Sequence, residues 1–251
     1  MTDRPQGAPV WVELYAPDLE QAKAFYGGLF GWQLHNSGEE YGGYHMIMLG
    51  DDVVGGAMRS QDGMGVPSWC VYLGTKDIRT LAERAKQAGG EIHVEPMEVG
   101  DQGSMAFLSD STGAALGAWQ SDTVRIQATD RPGAPVWFEL MTGNYDEALR
   151  FYREVFEWDV QPMGEQGVEY QYSTNGGGDD AVAGVCDASP FIPSKVPTSY
   201  WRVYFSVDET DAAIERIREL GGRLVDGPME SPYGRIATVE DDQGIQFQIV
   251  G

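Results

Sequence analysis

The sequence predicts an α+β fold in which two tandem copies of one unit each consist of paired βαβββ modules. Residues 8–14 read APVWVEL and residues 134–140 read APVWFEL, so six of seven positions match at an offset of 126. The run FYGGLFGW at 25–32 returns as FYREVFEW at 151–158 with the same offset. A repeat of this size indicates duplicated domains rather than a solenoid.

The repeat predicts a domain at residues 1–120, a linker at 121–132 and a second domain at 133–251 of the 251-residue chain. AGG at 88–90 matches LGG at 220–222 at an offset of 132, so the second copy has gained six residues. We expect these at the turn-rich run NGGGDD, residues 175–180.

The first module begins with an alternating strand at residues 10–15, followed by a helix at 19–30. Asp18 is a suitable N-cap residue and Gly31 a suitable helix terminator. The remaining elements follow from periodicity and turn residues. We expect strands at 32–35, 44–49, 53–58, 69–73, 91–95, 105–109 and 115–120, and helices at 78–88, 145–156 and 209–220.

Composition excludes several partners. The chain has 39 acidic and 17 basic residues, a formal charge of −22, which disfavours nucleic acid and anionic membranes.

It has no apolar run of about 18 residues and no apolar signal segment at its start, so neither a transmembrane helix nor a secretory leader is expected. The two cysteines, 116 residues apart, do not form a disulfide framework. We expect a cytoplasmic protein, monomeric or homodimeric, that binds a small molecule.

Paired βαβββ modules resemble the vicinal oxygen chelate superfamily, which includes glyoxalase I, bleomycin-resistance proteins and extradiol dioxygenases. The supporting motifs are PDLEQAKAFYGGLFGW at 17–32, SDSTGAALGAW at 109–119, DEALRFYREVFEW at 146–158, SVDETDAAIERIRELGG at 206–222 and EDDQGIQFQIV at 240–250. The chain looks closest to tandem members labelled glyoxalase-like or hydroxylase. The resemblance implies that the paired modules of each copy curl into a cupped mixed sheet, and that the cup is the site.

Metal-using members of this superfamily place a His, Glu or Gln ligand on each of four strands. The matching positions here are Trp11, Gly56, Cys70 and Gly117 in the first copy, and Trp137, Gly184, Arg202 and Gln248 in the second. Only Gln248 offers a weak oxygen ligand, and the three histidines lie elsewhere. We therefore expect neither a specific metal nor another cofactor.

Strand alternation places aromatic residues in the cups, as is typical of a small-molecule pocket. The predicted ligand-binding residues are Trp11, Tyr44, Met46, Tyr72, Trp119, Trp137, Tyr172, Arg202, Tyr204 and Gln248. The alternative is that the aromatic rings fill the cups as core.

Glu13 and Glu139 occupy equivalent positions and are the candidate catalytic residues. In an apolar cup, desolvation raises the pKa of a carboxyl group and makes it a usable general base. The alternative is a buried structural acceptor for backbone groups or tyrosine hydroxyls. Cys70 is expected to be a packing residue, and Arg202 is expected to bind a ligand oxyanion or Glu139.

These observations favour a metal-independent protein that binds a hydrophobic aromatic metabolite or assists its conversion. Two other functions stay open. One is a metal-dependent lyase or dioxygenase, as in the resembled family; the other is a non-catalytic interaction protein with filled cups.

Overall fold

Each repeat forms one eight-stranded mixed sheet in the computed structural model, which describes residues 6–38, 41–60, 66–164, 170–191 and 199–251. The elements of the first repeat are β1 (Pro9–Ala16), α1 (Leu19–Phe30), β2 (Gln33–Asn36), β3 (His45–Leu49), β4 (Asp52–Arg59), β5 (Ser68–Gly74), α2 (Ile78–Gln87), β6 (Glu91–Val99), β7 (Gly103–Ser109) and β8 (Ala115–Gln120). The strand order is β2-β3-β4-β1-β5-β8-β7-β6.

The second repeat has the same order of elements. These are β9 (Pro135–Thr142), α3 (Tyr145–Phe156), β10 (Val160–Pro162), β11 (Tyr172–Asn175), β12 (Ala183–Asp187), β13 (Ser199–Ser206), α4 (Thr210–Glu219), β14 (Arg223–Ser231), β15 (Gly234–Glu240) and β16 (Gln246–Val250). The strand order is β10-β11-β12-β9-β13-β16-β15-β14. The predicted α+β fold of two tandem repeats is confirmed.

Local sequence explains where α1 begins and ends. The Asp18 side chain accepts hydrogen bonds from the backbone N–H groups of Glu20 and Gln21. At the other end, Gly31 takes a left-handed conformation with φ of 73°, which glycine adopts without steric cost. The observed bounds match the predicted helix at 19–30. At the equivalent end of α3 the second repeat has Glu157, with φ of 57°.

The register of the parallel strands places a glutamate beside a glycine in each repeat. Glu13 on β1 lies opposite Gly56 on β4. Glu139 on β9 lies opposite Gly184 on β12. The alternate residues Val12 and Leu14 on β1 are fully buried and lie on the face of the strand opposite to Glu13.

Close packing divides the chain differently from the repeat. The first unit contains Met1–Val10, Val71–Val124 and Trp137–Arg202; the second contains Trp11–Cys70, Arg125–Val136 and Val203–Gly251. Each unit therefore takes one half of each repeat. The domain bounds given above, at residues 120 and 133, stay a prediction.

The core of the second unit is a cluster of aromatic rings on α1 and the strands packed against it. Its members are Tyr26, Phe30, Trp32, Trp69, Phe205 and Phe247. The first unit has a similar cluster in Phe151, Tyr152, Phe156, Trp158 and Trp201. Aromatic pairs at such distances contribute about 0.5–1.5 kcal/mol each beyond the burial of their surface.

The expected position of the added residues in the second repeat is wrong. Equivalent residues are offset by 126 at Trp32 and Trp158, by 128 at Tyr44 and Tyr172, by 128 again at Gly56 and Gly184, and by 132 at Cys70 and Arg202. The offset does not change across residues 175–180, so this turn replaces one of equal length. The added residues lie between Trp158 and Tyr172 and between Gly184 and Arg202.

The run at 175–180 does form the predicted turn, because β11 and β12 pair antiparallel on either side of it. Within the part of the chain that the structure describes, no helix is both long and apolar enough to span a membrane.

Candidate functional site

A tryptophan and a tyrosine form a hydrogen-bonded pair in each repeat. The indole Nε1 of Trp11 donates to the hydroxyl of Tyr44 at 2.9 Å. Trp137 donates to Tyr172 at 3.0 Å in the second repeat. Each pair joins the first strand of its repeat to the third strand or to the residue before it. We call these the Trp–Tyr pairs.

The tyrosines occupy the space above glycines at the positions of the family's metal ligands. A Cβ atom added to Gly56 would overlap the hydroxyl of Tyr44, and one added to Gly184 would overlap the hydroxyl of Tyr172. A Cβ added to Gly117 would overlap the ring of Tyr72. No longer side chain fits at these three positions while the tyrosines stay in place.

The donor atoms present do not suit a divalent metal. Among the described residues, no group of three or more His, Cys, Asp and Glu side chains is placed to hold a metal ion. Two of the histidines have other contacts: His45 Nδ1 lies 2.8 Å from the Gly43 carbonyl oxygen, and His93 Nε2 lies 2.7 Å from the Ser109 hydroxyl. The residues at the ligand positions thus do not fit the metal that the resemblance implies.

Glu13 is engaged by tyrosine in the first repeat. It is 4% exposed and accepts a 2.6 Å hydrogen bond from the hydroxyl of Tyr15. The pKa of Tyr44 is raised well above its usual value, first by burial and then by the charge of nearby Glu13. These contacts match the expected alternative of a buried acceptor for tyrosine hydroxyls, and they leave its role in chemistry a prediction.

Glu139 has a different neighbourhood. It is 9% exposed, and the position equivalent to Tyr15 holds Met141. The pKa of the Cys186 thiol is raised to about 12, first by burial and then by the negative charge of Glu139. Arg202 opposes that shift in the pKa, so a carboxylate and a guanidinium group act on this thiol with opposite sign.

Arg202 lies beside Tyr200, which is not among the predicted site residues. Its Nη2 atom donates to the hydroxyl of Tyr200 at 2.8 Å, and its guanidinium carbon lies 5.4 Å from the centre of that ring. Tyr200 also packs on the buried cluster of Met141, Cys186 and Ala188, as does Tyr172. The signal was present in the sequence, because Tyr200 precedes Arg202 by two positions on one strand and so shares its face.

Three of the other predicted residues lie on paired strands. Met46 on β3 lies opposite Gly56 on β4, and Tyr204 on β13 lies opposite Gln248 on β16. The Oε1 atom of Gln248 is buried and makes no hydrogen bond with the described residues. Trp119 differs, because its indole donates at 3.0 Å to the carbonyl of Val124 in the predicted linker. That donor is therefore already used by the chain itself.

The family model for the "Glyoxalase/Bleomycin resistance protein/Dioxygenase superfamily" matches this chain twice, at residues 8–117 and 134–249. CFP32 of Mycobacterium tuberculosis, described as a candidate glyoxylase, is 34% identical over 98% of this chain and 95% of its own length. The anthracycline biosynthesis protein DnrV of Streptomyces peucetius is 33% identical over 100% of this chain and 95% of its own.

Solved structures share the fold at low sequence identity. The Mn(II)-bound glyoxalase from Novosphingobium aromaticivorans gives a TM-score of 0.66 at 14% identity, covering 97% of this chain and 82% of its own. The 2,3-dioxygenase LapB from Pseudomonas sp. KL28 gives 0.64 at 13% identity, covering 98% and 92%. The chain belongs to the glyoxalase, bleomycin-resistance protein and dioxygenase superfamily.

Proposed function

We propose that this protein binds a small, hydrophobic, aromatic molecule in one or both repeats without a specific metal ion, and either holds it or assists its conversion. The observation that carries the proposal is the tyrosine packed over glycine at three family ligand positions: Tyr44 on Gly56, Tyr72 on Gly117 and Tyr172 on Gly184. The space used for a metal ligand elsewhere in the family is here taken by an aromatic side chain.

The Trp–Tyr pairs support an aromatic ligand. In both, the indole donates to the tyrosine hydroxyl, which fixes the orientation of two flat side chains. Rings held in this way offer stacking surface to a flat ligand at little cost in side-chain entropy. The half-buried state of Trp137 and Tyr172 leaves part of that surface accessible in the second repeat.

A polar group beside the rings gives such a ligand its orientation. Glu13 and Glu139 are each mostly buried, and each can accept a hydrogen bond from a ligand hydroxyl or take its proton. The relatives named as anthracycline biosynthesis proteins are consistent with this choice, because anthracyclines are polycyclic aromatic compounds with phenolic hydroxyls.

The test is a ligand screen on chelator-treated protein. Flat aromatic acids, phenols and quinones are added and the unfolding temperature is followed, since a ligand at 100 times its Kd stabilises a protein by about 2.7 kcal/mol. Hits should weaken in Trp11→Leu or Trp137→Leu, according to the repeat that binds them. Tyr233→Leu is the control, because Tyr233 is 74% exposed and is not one of the predicted ligand-binding residues.

Elemental analysis for zinc, nickel, iron and manganese supplies the second half of the test. We expect no stoichiometric metal after dialysis and unchanged ligand binding after chelation. One tightly held metal per repeat, lost together with binding or activity on chelation, would contradict the proposal.

A further inference from the structure

We propose that the pocket of the second repeat binds a planar aromatic acid. In this proposal Arg202, which lies against Tyr200, binds the anionic oxygen of the acid. This inference rests on the proposed function, and it distinguishes two pockets that the sequence repeat would make alike. It assigns the recognition of an anionic oxygen to the second repeat alone.

The two pockets differ in residue type at several equivalent positions, and three of these exchanges lie on the strands that carry Glu139, Cys186 and Arg202. Tyr15 of the first repeat becomes Met141, Met58 becomes Cys186, and Cys70 becomes Arg202. The first exchange removes the hydroxyl that donates to Glu13 in the first repeat. The last introduces a permanent positive charge. The second pocket therefore loses a neutral donor and gains a cation.

The contacts of Arg202 with Tyr200 place a planar cation beside an aromatic ring. A guanidinium group has five N–H donors in a planar fork, of which Nη2 is directed to the Tyr200 hydroxyl at 2.8 Å. The 5.4 Å distance to the Tyr200 ring keeps the cation close to an aromatic face. An aromatic acid can lie along such a face and present its carboxylate to the fork, the arrangement in which Arg–carboxylate bonds are strongest.

The positive charge of Arg202 acts on a buried group of the second repeat. It lowers the pKa of the buried Cys186 thiol, while Glu139 raises it. A cation and an anion thus act on one apolar site that contains Met141 and Ala188. The negative charge of Glu139 opposes a bound anion, so removing that charge should strengthen the binding of an acid.

Two probes of one shape test the site. We would titrate the whole protein with 2-naphthoate and with 2-acetylnaphthalene, which carries a methyl group in place of the anionic oxygen, and follow binding by tryptophan fluorescence and calorimetry. Wild type should bind the acid at least about tenfold more tightly than the ketone, as a charge-assisted hydrogen bond gives. Arg202→Met should remove this preference, and Arg202→Lys should keep part of it.

The controls exclude general effects of charge and folding. Arg153→Met removes one positive charge from an exposed position on α3 of the same unit and should leave the preference unchanged. Glu139→Gln should tighten binding of the acid and leave the ketone unaffected. Circular dichroism and the unfolding temperature confirm that each variant is folded.

The outcomes separate this inference from the function on which it rests. Equal binding of the two probes, weakened alike by Trp137→Leu, would refute the oxyanion site and keep the aromatic pocket. A preference for the acid that survives in Arg202→Met would also refute the site. No binding of either probe up to about 1 mM, the weak end of specific affinities, would refute both.

Discussion

The hydroxyl of Tyr26 donates a 3.0 Å hydrogen bond to the carboxylate of Asp241, 215 residues further along the chain. The counterpart in the other unit is the 2.9 Å bond from Tyr152 to Asp110. The first helix of each repeat therefore binds the closing D-x-x-G turn of the other repeat. Each aspartate also accepts hydrogen bonds from backbone N–H groups of its own turn.

Removing either tyrosine hydroxyl should destabilise the fold. The Tyr26 hydroxyl also accepts a hydrogen bond from the Trp69 indole at 3.1 Å, so Tyr26→Phe leaves two buried polar groups short of a partner. We expect a loss of about 1–3 kcal/mol in the free energy of unfolding, measured by urea denaturation at pH 8. Tyr152→Phe should behave alike, because Trp201 donates to that hydroxyl at 3.0 Å.

Tyr233→Phe is the control, since Tyr233 is 74% exposed. It should change the stability by less than about 0.5 kcal/mol. Equal effects of Tyr26→Phe and Tyr233→Phe would contradict a structural role for the bond to Asp241.

The effect of Tyr26→Phe should depend on pH. Burial raises the pKa of Asp241, and the hydrogen bond from Tyr26 lowers it. Loss of that bond raises the folded-state pKa further, so ionising Asp241 in the folded protein costs more. That cost is present above the raised pKa and disappears as the pH falls through it.

The difference in unfolding free energy between wild type and Tyr26→Phe should therefore be largest at pH 8 and should shrink as the pH falls toward the folded-state pKa of Asp241, which burial raises. Comparing the two proteins at each pH cancels the repulsion of the net charge common to both. A difference that stays constant over this range would show that the ionisation of Asp241 is not linked to this bond.

Gly56→Ala tests whether tyrosine fills the family's ligand position. The new methyl group would overlap the Tyr44 hydroxyl, and overpacking of this kind costs about 1–3 kcal/mol. In a Tyr44→Ala background most of that cost should vanish. A double-mutant cycle in urea measures the coupling.

Gly42→Ala is the matched control for the cycle, because no atom lies within 4 Å of a Cβ at that position. Its φ of 65° adds backbone strain, and this strain should not depend on Tyr44. If Gly56→Ala costs the same in both backgrounds, Tyr44 does not occupy this space in solution.

The thiol of Cys186 should be unreactive in the folded protein. Its pKa is raised to about 12, so at pH 8 only about one thiol in 10,000 is ionised, and the thiolate is the nucleophile. A Cys70→Ser variant isolates Cys186 for titration with a chromogenic disulfide. Slow reaction in buffer and rapid reaction of one thiol in guanidinium are expected.

Rapid reaction of Cys70→Ser in buffer would show that the surroundings of Cys186 are more open than its 6% exposure indicates. The same titration with an aromatic ligand present reports whether that ligand covers the thiol.

Sequence reasoning predicted the features that depend on neighbouring residues. The α1 bounds followed from Asp18 and Gly31, and the turn at 175–180 followed from its glycines. It placed Trp11 and Tyr44 among the ligand-binding residues, but periodicity contains no information about the indole–hydroxyl bond between them.

The contacts that link distant parts of the chain were not predictable in this way. Nothing near Tyr26 identifies Asp241 as its partner, since the two are brought together only by tertiary packing. The position of the added residues was also misjudged, because the glycines of 175–180 indicate a turn and do not indicate that the turn is longer than its counterpart. Tyr200 was overlooked because an aromatic residue on a buried strand is common.

Each compact unit is built from one half of the first repeat and one half of the second, which bears on how such a chain arises. A protein with a single copy of this repeat and the same tyrosine–aspartate contact would complete it only by associating with a second molecule. Fusing two copies into one chain replaces that bimolecular association with an intramolecular one, whose effective concentration is set by a short connection. The stability of the folded state then no longer depends on protein concentration. The sequences of the two repeats also become free to diverge, as they have at the equivalent positions Cys70 and Arg202.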